Sequence, residues 1–138
     1  DGFIGTTYKA RYLTKKNKLL SKEIVDLLSS LAKTAPLLMC KYYDEFIVPL
    51  KTMLYDENLY IISCLSYMGL SVGSNRFSLD AHDIMGHVSA KIAYLIKAHG
   101  EGFDSDFGRL VSLMGPDVIP FMPALMPPIL KAARGEDE

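Results

Sequence analysis

Residues 61–77 read IISCLSYMGLSVGSNRF, and this stretch decides the fold class. Its apolar residues recur at spacings of three and four, which is the period of an α-helix and not the alternation of a strand. Because the apolar surface covers most of such a helix, we expect it to lie between neighbouring elements. The residues of this stripe are Ile61, Ile62, Cys64, Leu65, Met68 and Val72.

The same helical period runs along most of the 138 residues, and no convincing alternating strand appears. We therefore predict an all-α fold. Ser21 is a candidate N-cap of the first helix and Asp80 of the fourth, and Pro127 and Pro128 should bend or break the last one. The predicted helices cover residues 22–35, 39–54, 58–73, 79–98, 104–115 and 117–133.

The chain resembles itself when it is shifted by 37, 46 or 79 residues. Periods of roughly 40 to 47 residues with two helices per unit are typical of HEAT and armadillo repeats. We therefore predict an α–α superhelix of antiparallel helix pairs over residues 21–135, with alternating outer and inner helices. Among the superposed pairs are Leu28 with Leu65, Gly69 with Gly115, and Pro49 with Pro128.

Charge separates the two ends of the chain from this array. Residues 1–22 carry six basic side chains and one acid, whereas the other 116 residues carry nine bases and fifteen acids. A basic segment of this kind can hold nucleic acid or an acidic surface, but a solvated segment is the simpler interpretation, and we expect no direct nucleic-acid partner. Residues 1–20 remain an unassigned basic segment, and residues 136–138 form an acidic tail.

Cysteine usage and apolar runs bear on the compartment. Cys40 and Cys64 are neither a CxxC motif nor a disulfide framework, and both lie among apolar residues. We expect buried free thiols in a reducing compartment, which favours cytosol or nucleus. No apolar run approaches the roughly 20 residues that cross a bilayer, so we expect no membrane partner.

Residues 69–73 (GLSVG) match the G-x-S-x-G pattern of serine hydrolases. That motif needs a strand before the serine and a helix after it, whereas here it closes a predicted helix. The structural interpretation is that Gly69 permits close helix packing and Gly73 caps the helix end. A small hydrolase remains open only through Ser71.

The histidines and acids do not predict a metal site. His82 and His87 are five residues apart, so they lie on different faces of a helix, and His99 continues an apolar stripe. Loop acids such as Asp106 do not follow the spacing of a calcium-binding loop. The sequence therefore predicts no enzyme, no metal site and no bound cofactor.

Three stretches carry a family resemblance: residues 36–54 (PLLMCKYYDEFIVPLKTML), 61–77 and 107–133 (FGRLVSLMGPDVIPFMPALMPPILKAA). They resemble an outer helix, the inner helix that follows it, and a later stretch of importin-β (karyopherin-β) nuclear transport receptors, with the importin-beta-three branch the most similar. The resemblance covers residues 20–133, and family members are far longer, so it implies an internal fragment of HEAT repeats. Ser71 stands where the family has alanine.

The resemblance implies a nuclear import receptor that shuttles between cytoplasm and nucleus. Its implied partners are protein cargo with a basic signal, Ran-GTP and the Phe-Gly repeats of nucleoporins. In that family the inner helices line a concave face for cargo and Ran, and the outer helices bind Phe-Gly repeats. A HEAT or armadillo scaffold that holds a complex together without transport is the alternative.

The repeat shifts locate a candidate partner face on the inner helices. They make Asp26, Ser63 and Arg109 equivalent, and likewise Ser29, Ser66 and Ser112. The competing interpretation is that these residues are only the solvated side of each helix. The candidate concave partner face comprises Asp26, Ser29, Ser30, Lys33, Ser63, Ser66, Tyr67, Arg109 and Ser112.

The two ends of a repeat array cut from a longer protein should expose apolar side chains that a neighbouring repeat would cover. The residues predicted to form these patches are Leu27, Leu28 and Leu31 at one end and Met122, Leu125 and Met126 at the other.

Overall fold

A computed structural model describes residues 21–56, 58, 60–98 and 102–135. About 89 % of these residues are helical, and none of them lies in a strand. The prediction of an all-α fold is therefore confirmed. The basic segment 1–20, the acidic tail 136–138 and His99 lie outside the described residues.

Seven α-helices and one 3-10 helix follow one another in the described ranges. In chain order they are α1 (Lys22–Thr34), α2 (Pro36–Met39), α3 (Tyr43–Tyr55), α4 (Ile61–Ala90), α5 (Ile92–Ala98), α6 (Phe103–Met114), the 3-10 helix (Gly115–Phe121) and α7 (Met122–Ala133).

Helix α4 contains a kink at Gly73, where φ is 87° and ψ is 162°. This positive φ favours glycine, and it divides α4 into α4a (61–72) and α4b (74–90). The predicted helix end at Gly73 is confirmed, but the predicted loop over 74–78 is wrong, because the chain re-enters a helix directly after the glycine. The predicted helix 79–98 is also interrupted, since Lys91 leaves helical geometry between α4 and α5.

Two predicted outer helices are divided further. The prediction 39–54 becomes α2 and α3, separated by a turn at residues 40–42, and 117–133 becomes the 3-10 helix followed by α7. Pro127 and Pro128 lie inside α7 without ending it. Pro123 and Ala124, whose carbonyls lose their helical partners, are exposed, so water can satisfy them.

The two predicted caps differ in outcome. Ser21 is the N-cap of α1, because its hydroxyl accepts the Ile24 amide hydrogen at 3.3 Å. Asp80 lies inside α4b instead of at a helix start, and its carboxylate accepts hydrogen bonds from α3.

Helices α1, α4a and α6 form one layer, which we call the inner layer. The Ser71 hydroxyl of α4a donates to the Ala32 carbonyl of α1 at 3.1 Å. On the other side, Arg109 Nε of α6 donates to Ser66 Oγ of α4a at 2.9 Å. Helix α4a is therefore the middle helix of this layer.

Helices α3, α4b and the 3-10 helix form an outer layer in the same order. The Tyr43 hydroxyl contacts Asp80, and the Tyr55 ring lies 4.9 Å from the His87 ring, both contacts joining α3 to α4b. His82 lies 5.1 Å from Phe121 of the 3-10 helix. Because the α3 contacts advance in the same direction along both helices, α3 and α4b run parallel.

The core lies between the two layers, and both parts of α4 contribute buried side chains to it. Ile61, Leu65 and Met68 of α4a are fully buried, which confirms the predicted position between neighbours. A Cβ atom on Gly69 would lie 2.6 Å from the Phe77 ring and 2.9 Å from Leu113. The prediction that Gly69 permits close packing is therefore confirmed.

The predicted end patches are confirmed only in part. Leu27, Leu31 and Met122 are exposed, but Leu28 is only 6 % exposed and Leu125 only 2 %. The predictions for these two residues are wrong, because both lie on the core-facing sides of α1 and α7. Met126, predicted to be exposed, is half-buried.

By length and composition alone, the stretch Phe103–Ala133 could cross a membrane, with a mean hydropathy of 1.3 over its best window, of which 17 % is buried. The sequence leads us to expect no stretch that could cross a bilayer, because no continuous apolar run is long enough, and this finding differs from that expectation. The stretch is not a single α-helix, since Gly115 has φ 56° and ψ −132° and the 3-10 helix separates α6 from α7. Such a break leaves backbone groups without partners in lipid, so composition is a weak indication here.

Candidate functional site

The inner layer brings four of the predicted face residues into contact. Tyr67 of α4a lies between α1 and α6, with Lys33 Nζ 4.6 Å and Arg109 Cζ 3.9 Å from the centre of its ring. These distances are typical of cation–π contacts. Together with Ser66 and Asp106, these residues form what we call the inner cluster: Lys33, Ser66, Tyr67, Asp106 and Arg109.

Arg109 is held in place by three contacts. Its Nε donates to the hydroxyl of Ser66, which is fully buried, and its Nη2 donates to the Asp106 carboxylate. The guanidinium also lies over the Tyr67 ring. Because both hydrogen-bond partners are buried, the side chain is fixed before any partner arrives.

Asp106 is the residue of this site that sequence reasoning missed. It is 8 % exposed and lies three residues before Arg109 on α6. A spacing of three brings two helical side chains together. This spacing could have indicated the pair of Asp106 and Arg109, but Asp106 was tested only as a loop ligand for calcium.

Two predicted serines do not present their hydroxyls to a partner. Ser29 and Ser66 are buried. Their hydroxyls donate to helix carbonyls, Ser29 to Val25 at 3.1 Å and Ser66 to Ser63 at 2.7 Å. Such bonds to the preceding turn satisfy a small polar side chain inside a core. The prediction that these two residues belong to the partner surface is therefore wrong.

The remaining predicted residues lie around the inner cluster. Ser63 is half-buried, and Ser30 and Ser112 are exposed. Asp26 lies towards the start of α1, where its carboxylate accepts from Lys22 Nζ at 3.1 Å; the two side chains are 61 % and 62 % exposed. An exposed pair of this kind leaves the start of the face close to neutral.

The Ser71 hydroxyl is committed to main-chain acceptors. It donates to the carbonyls of Ala32 and Tyr67, each at 3.1 Å. The nucleophile of a G-x-S-x-G turn instead follows a strand and contacts a base. Ser71 thus links α1 to α4a in the structure.

The two cysteines differ in burial. Cys64 is fully buried, and burial raises the pKa of its thiol to about 11. Cys40 is only half-buried, so the prediction of burial is wrong for it, and its thiol donates to the Ser71 carbonyl at 3.1 Å. Both thiols are free, as predicted.

A second polar cluster joins α3 to α4b in the outer layer. Asp80 accepts from the Tyr43 hydroxyl at 2.7 Å and from Lys51 Nζ at 2.8 Å, and Lys51 also contacts Asp83 at 2.9 Å. We call Tyr43, Lys51, Asp80 and Asp83 the outer cluster. Every member contacts another member, so the cluster serves to hold two helices together.

Both titratable donors of the outer cluster have raised pKa values. Burial and the hydrogen bond to Asp80 raise the pKa of Tyr43. For Lys51, burial works to lower the pKa, but hydrogen bonds to Asp80 and Asp83 outweigh it and the pKa is raised. In both residues the protonated form is the one that the fold stabilises.

Within the described ranges, no group of three or more histidine, cysteine or acidic side chains is arranged to hold a metal ion. No protein-family model matches the chain, and no solved structure gives a significant match to it.

Proposed function

We propose that this chain is a segment of a nuclear import receptor of the importin-β type, built from HEAT-like repeats, whose inner face binds a protein partner. The observation that carries the proposal is the agreement between repeat shifts and spatial neighbours. Ser71 and Ala32 touch across 39 residues, and Arg109 and Ser66 across 43. These separations approach the sequence shifts of 37 and 46, as stacked units of one repeat would require.

The composition of the inner cluster supports protein binding at this face. Tyrosine and arginine are enriched among the residues that dominate binding energy at protein interfaces. Tyr67 lies on the middle helix of the inner layer, and Arg109 of α6 lies over its ring and is fixed by buried partners. A side chain that is already fixed loses little freedom on binding, which favours affinity.

The partners in this proposal follow from the family resemblance. They are Ran-GTP and protein cargo on the inner face and Phe-Gly nucleoporin repeats on the outer one, with the receptor shuttling between cytoplasm and nucleus. Exposed apolar side chains on the outer helices, Val48 of α3, Leu79 of α4b and Tyr94 of α5, are compatible with Phe-Gly contacts.

A capture experiment with the chain immobilised tests the proposal. We expect retention of Ran-GTP but not Ran-GDP, and of a Phe-Gly peptide but not a Ser-Gly peptide. Tyr67→Ala should lower Ran-GTP retention, whereas Tyr94→Ala in α5, which lies outside the inner layer, should leave it unchanged. If the chain retains neither Ran-GTP nor the Phe-Gly peptide, the result contradicts an import receptor and favours the non-transport scaffold.

A further inference from the structure

We propose that the inner face takes an acidic protein segment, whose carboxylates bind Lys33 and Arg109 on either side of Tyr67. This inference rests on the proposed function only in requiring that the face bind a protein. It names an acidic partner, which neither the repeat pattern nor the family resemblance predicts.

The inner cluster has hydrogen-bond donors to spare. Lys33 is exposed, and its ammonium group contacts the Tyr67 ring without an ion pair to any described carboxylate. Arg109 uses Nε and Nη2 on Ser66 and Asp106, and its Nη1 makes no hydrogen bond within the described part of the chain. Lysine and arginine side chains only donate hydrogen bonds, so the face needs acceptors from a partner.

The accessible charge at the centre of the face is positive. Helix α4a, which separates Lys33 from Arg109, contains no acidic and no basic residue. The carboxylate that lies beside them, Asp106, is buried and is already bound to Arg109. A partner therefore meets two cations and no exposed carboxylate at this point, and carboxylates complement that pattern.

This polarity differs from what the family resemblance implies for cargo. A basic cargo signal would meet like charges at Lys33 and Arg109. Asp26, the acid that the sequence placed on the face, is already paired with Lys22. The structure therefore favours an acidic occupant at this segment, and basic cargo would bind elsewhere in a longer receptor.

Fluorescence anisotropy with the full 138-residue chain tests the inference. The probe is a short labelled peptide of alternating glutamate and glycine, compared with glutamine–glycine and lysine–glycine peptides of equal length. We expect binding of the glutamate peptide alone, weakening as salt rises because the contacts are partly exposed.

Two lysine variants locate the binding site. Lys33→Glu should weaken binding of the glutamate peptide by about tenfold, the effect of one close charge pair at an interface. Lys41→Glu makes the same charge change at an exposed lysine in the turn between α2 and α3 and should alter the affinity less than twofold. Circular dichroism should show that both variants remain helical, with Lys33→Glu melting at a slightly lower temperature because it loses the contact with the Tyr67 ring and places an acid in the last turn of α1.

Several results would overturn the inference: no binding of the glutamate peptide, equal binding of the lysine peptide, or equal effects of the two variants. Displacement of the glutamate peptide by a single-stranded oligonucleotide at lower concentration than by unlabelled peptide would instead assign the face to nucleic acid. Retention of Ran-GTP in the capture experiment without binding of acidic peptide would leave the proposed function intact and reject only this inference.

Discussion

The inner and outer clusters both combine tyrosine, lysine and aspartate side chains, but they differ in how completely the hydrogen-bonding groups are paired within the cluster. In the outer cluster, two carboxylates face one ammonium group and one phenol, and each donor has an acceptor inside the cluster. In the inner cluster, the one carboxylate is buried and binds Arg109, whereas Lys33 contacts a ring instead of an acid. A closed set of bonds holds helices together, whereas an open set leaves donors for a partner.

An arginine stacks on the tyrosine of each cluster, Arg109 within the inner cluster and Arg76 beside the outer one, so the two clusters can be compared residue by residue. Arg76 Cζ lies 5.1 Å from the centre of the Tyr43 ring, and Arg109 Cζ lies 3.9 Å from that of Tyr67. Arg76 pairs with exposed Asp44, and Arg109 with buried Asp106. We therefore expect the loss of stability on substitution to increase with the burial of the substituted residue. We expect a loss of binding only for substitutions in the inner layer.

The largest expected loss of stability comes from the centre of the outer cluster. Asp80→Ala removes the acceptor of the buried Tyr43 hydroxyl and one of the two carboxylates that bind Lys51, and leaving the hydroxyl unpaired should cost about 3 kcal/mol in the free energy of unfolding. Asp83→Ala is the matched control, because Asp83 is 55 % exposed and contacts only Lys51, so its loss should cost less than about 1 kcal/mol. Urea denaturation measures both, and equal losses would contradict the central role of Asp80.

The next largest effect is expected in the inner cluster. Arg109→Met keeps much of the apolar stem but leaves buried Asp106 without its guanidinium, which should cost about 2 kcal/mol. The matched change Arg76→Met should cost about 0.5 kcal/mol, because Arg76 and Asp44 are largely exposed. Only Arg109→Met should also weaken binding at the inner face. A larger loss of stability for Arg76→Met would show that burial does not rank the two clusters.

Alkaline pH provides a smaller test of the outer cluster. Burial and Asp80 raise the pKa of Tyr43, and hydrogen bonds to Asp80 and Asp83 raise that of Lys51. Because the folded pKa exceeds the unfolded one, the stabilisation is complete below about pH 10 and is lost as pH rises beyond it. Thermal melting between pH 8 and pH 11 should show this decline.

Tyr43→Phe identifies the residue responsible for the alkaline decline. It should cost about 1 kcal/mol at neutral pH through the lost hydrogen bond and should make the decline above pH 10 shallower. Tyr67→Phe is the control, since its hydroxyl makes no hydrogen bond to the described residues, and it should change neutral stability little. An unchanged alkaline decline in Tyr43→Phe would assign the effect to other groups.

The all-α fold class could be predicted from sequence because it depends on local periodicity. Apolar spacing predicts α4a, and the glycines at positions 69 and 73 predict close packing and the helix end. These features depend on spacing along one helix. The repeat shifts made Arg109 equivalent to Ser63 and Asp26, but they did not predict that Lys33 and Arg109 contact the two sides of Tyr67.

The rest depends on contacts that periodicity does not carry. Gly73 ends α4a, but no local pattern predicts that α4b begins at once or that Phe77 of α4b lies close to Gly69 of α4a. Asp80 has the residue type of a cap, yet its bonds go to another helix. The burial of Ser66 beneath Arg109 likewise could not be predicted, because it depends on where α6 packs, and the residue pattern of a single helix does not show that.

The smallest expected effect concerns Asp26, at the solvent-exposed start of the inner face. Its pair with Lys22 is more than half exposed on both sides, so Asp26→Asn should change the free energy of unfolding by a few tenths of a kcal/mol, and only at low salt. The informative measurement is the sign of its effect on binding. If the face takes an acidic segment, removing this carboxylate should strengthen binding of the glutamate peptide by up to about twofold, because Lys22 is then free to join Lys33. If the face instead takes basic cargo, the same substitution should weaken binding of a lysine peptide. Asp117→Asn, at an exposed position in the 3-10 helix, is the matched control and should change neither affinity. Weaker binding of the lysine peptide in Asp26→Asn, with no change for the glutamate peptide, would reverse the assigned polarity of the inner face.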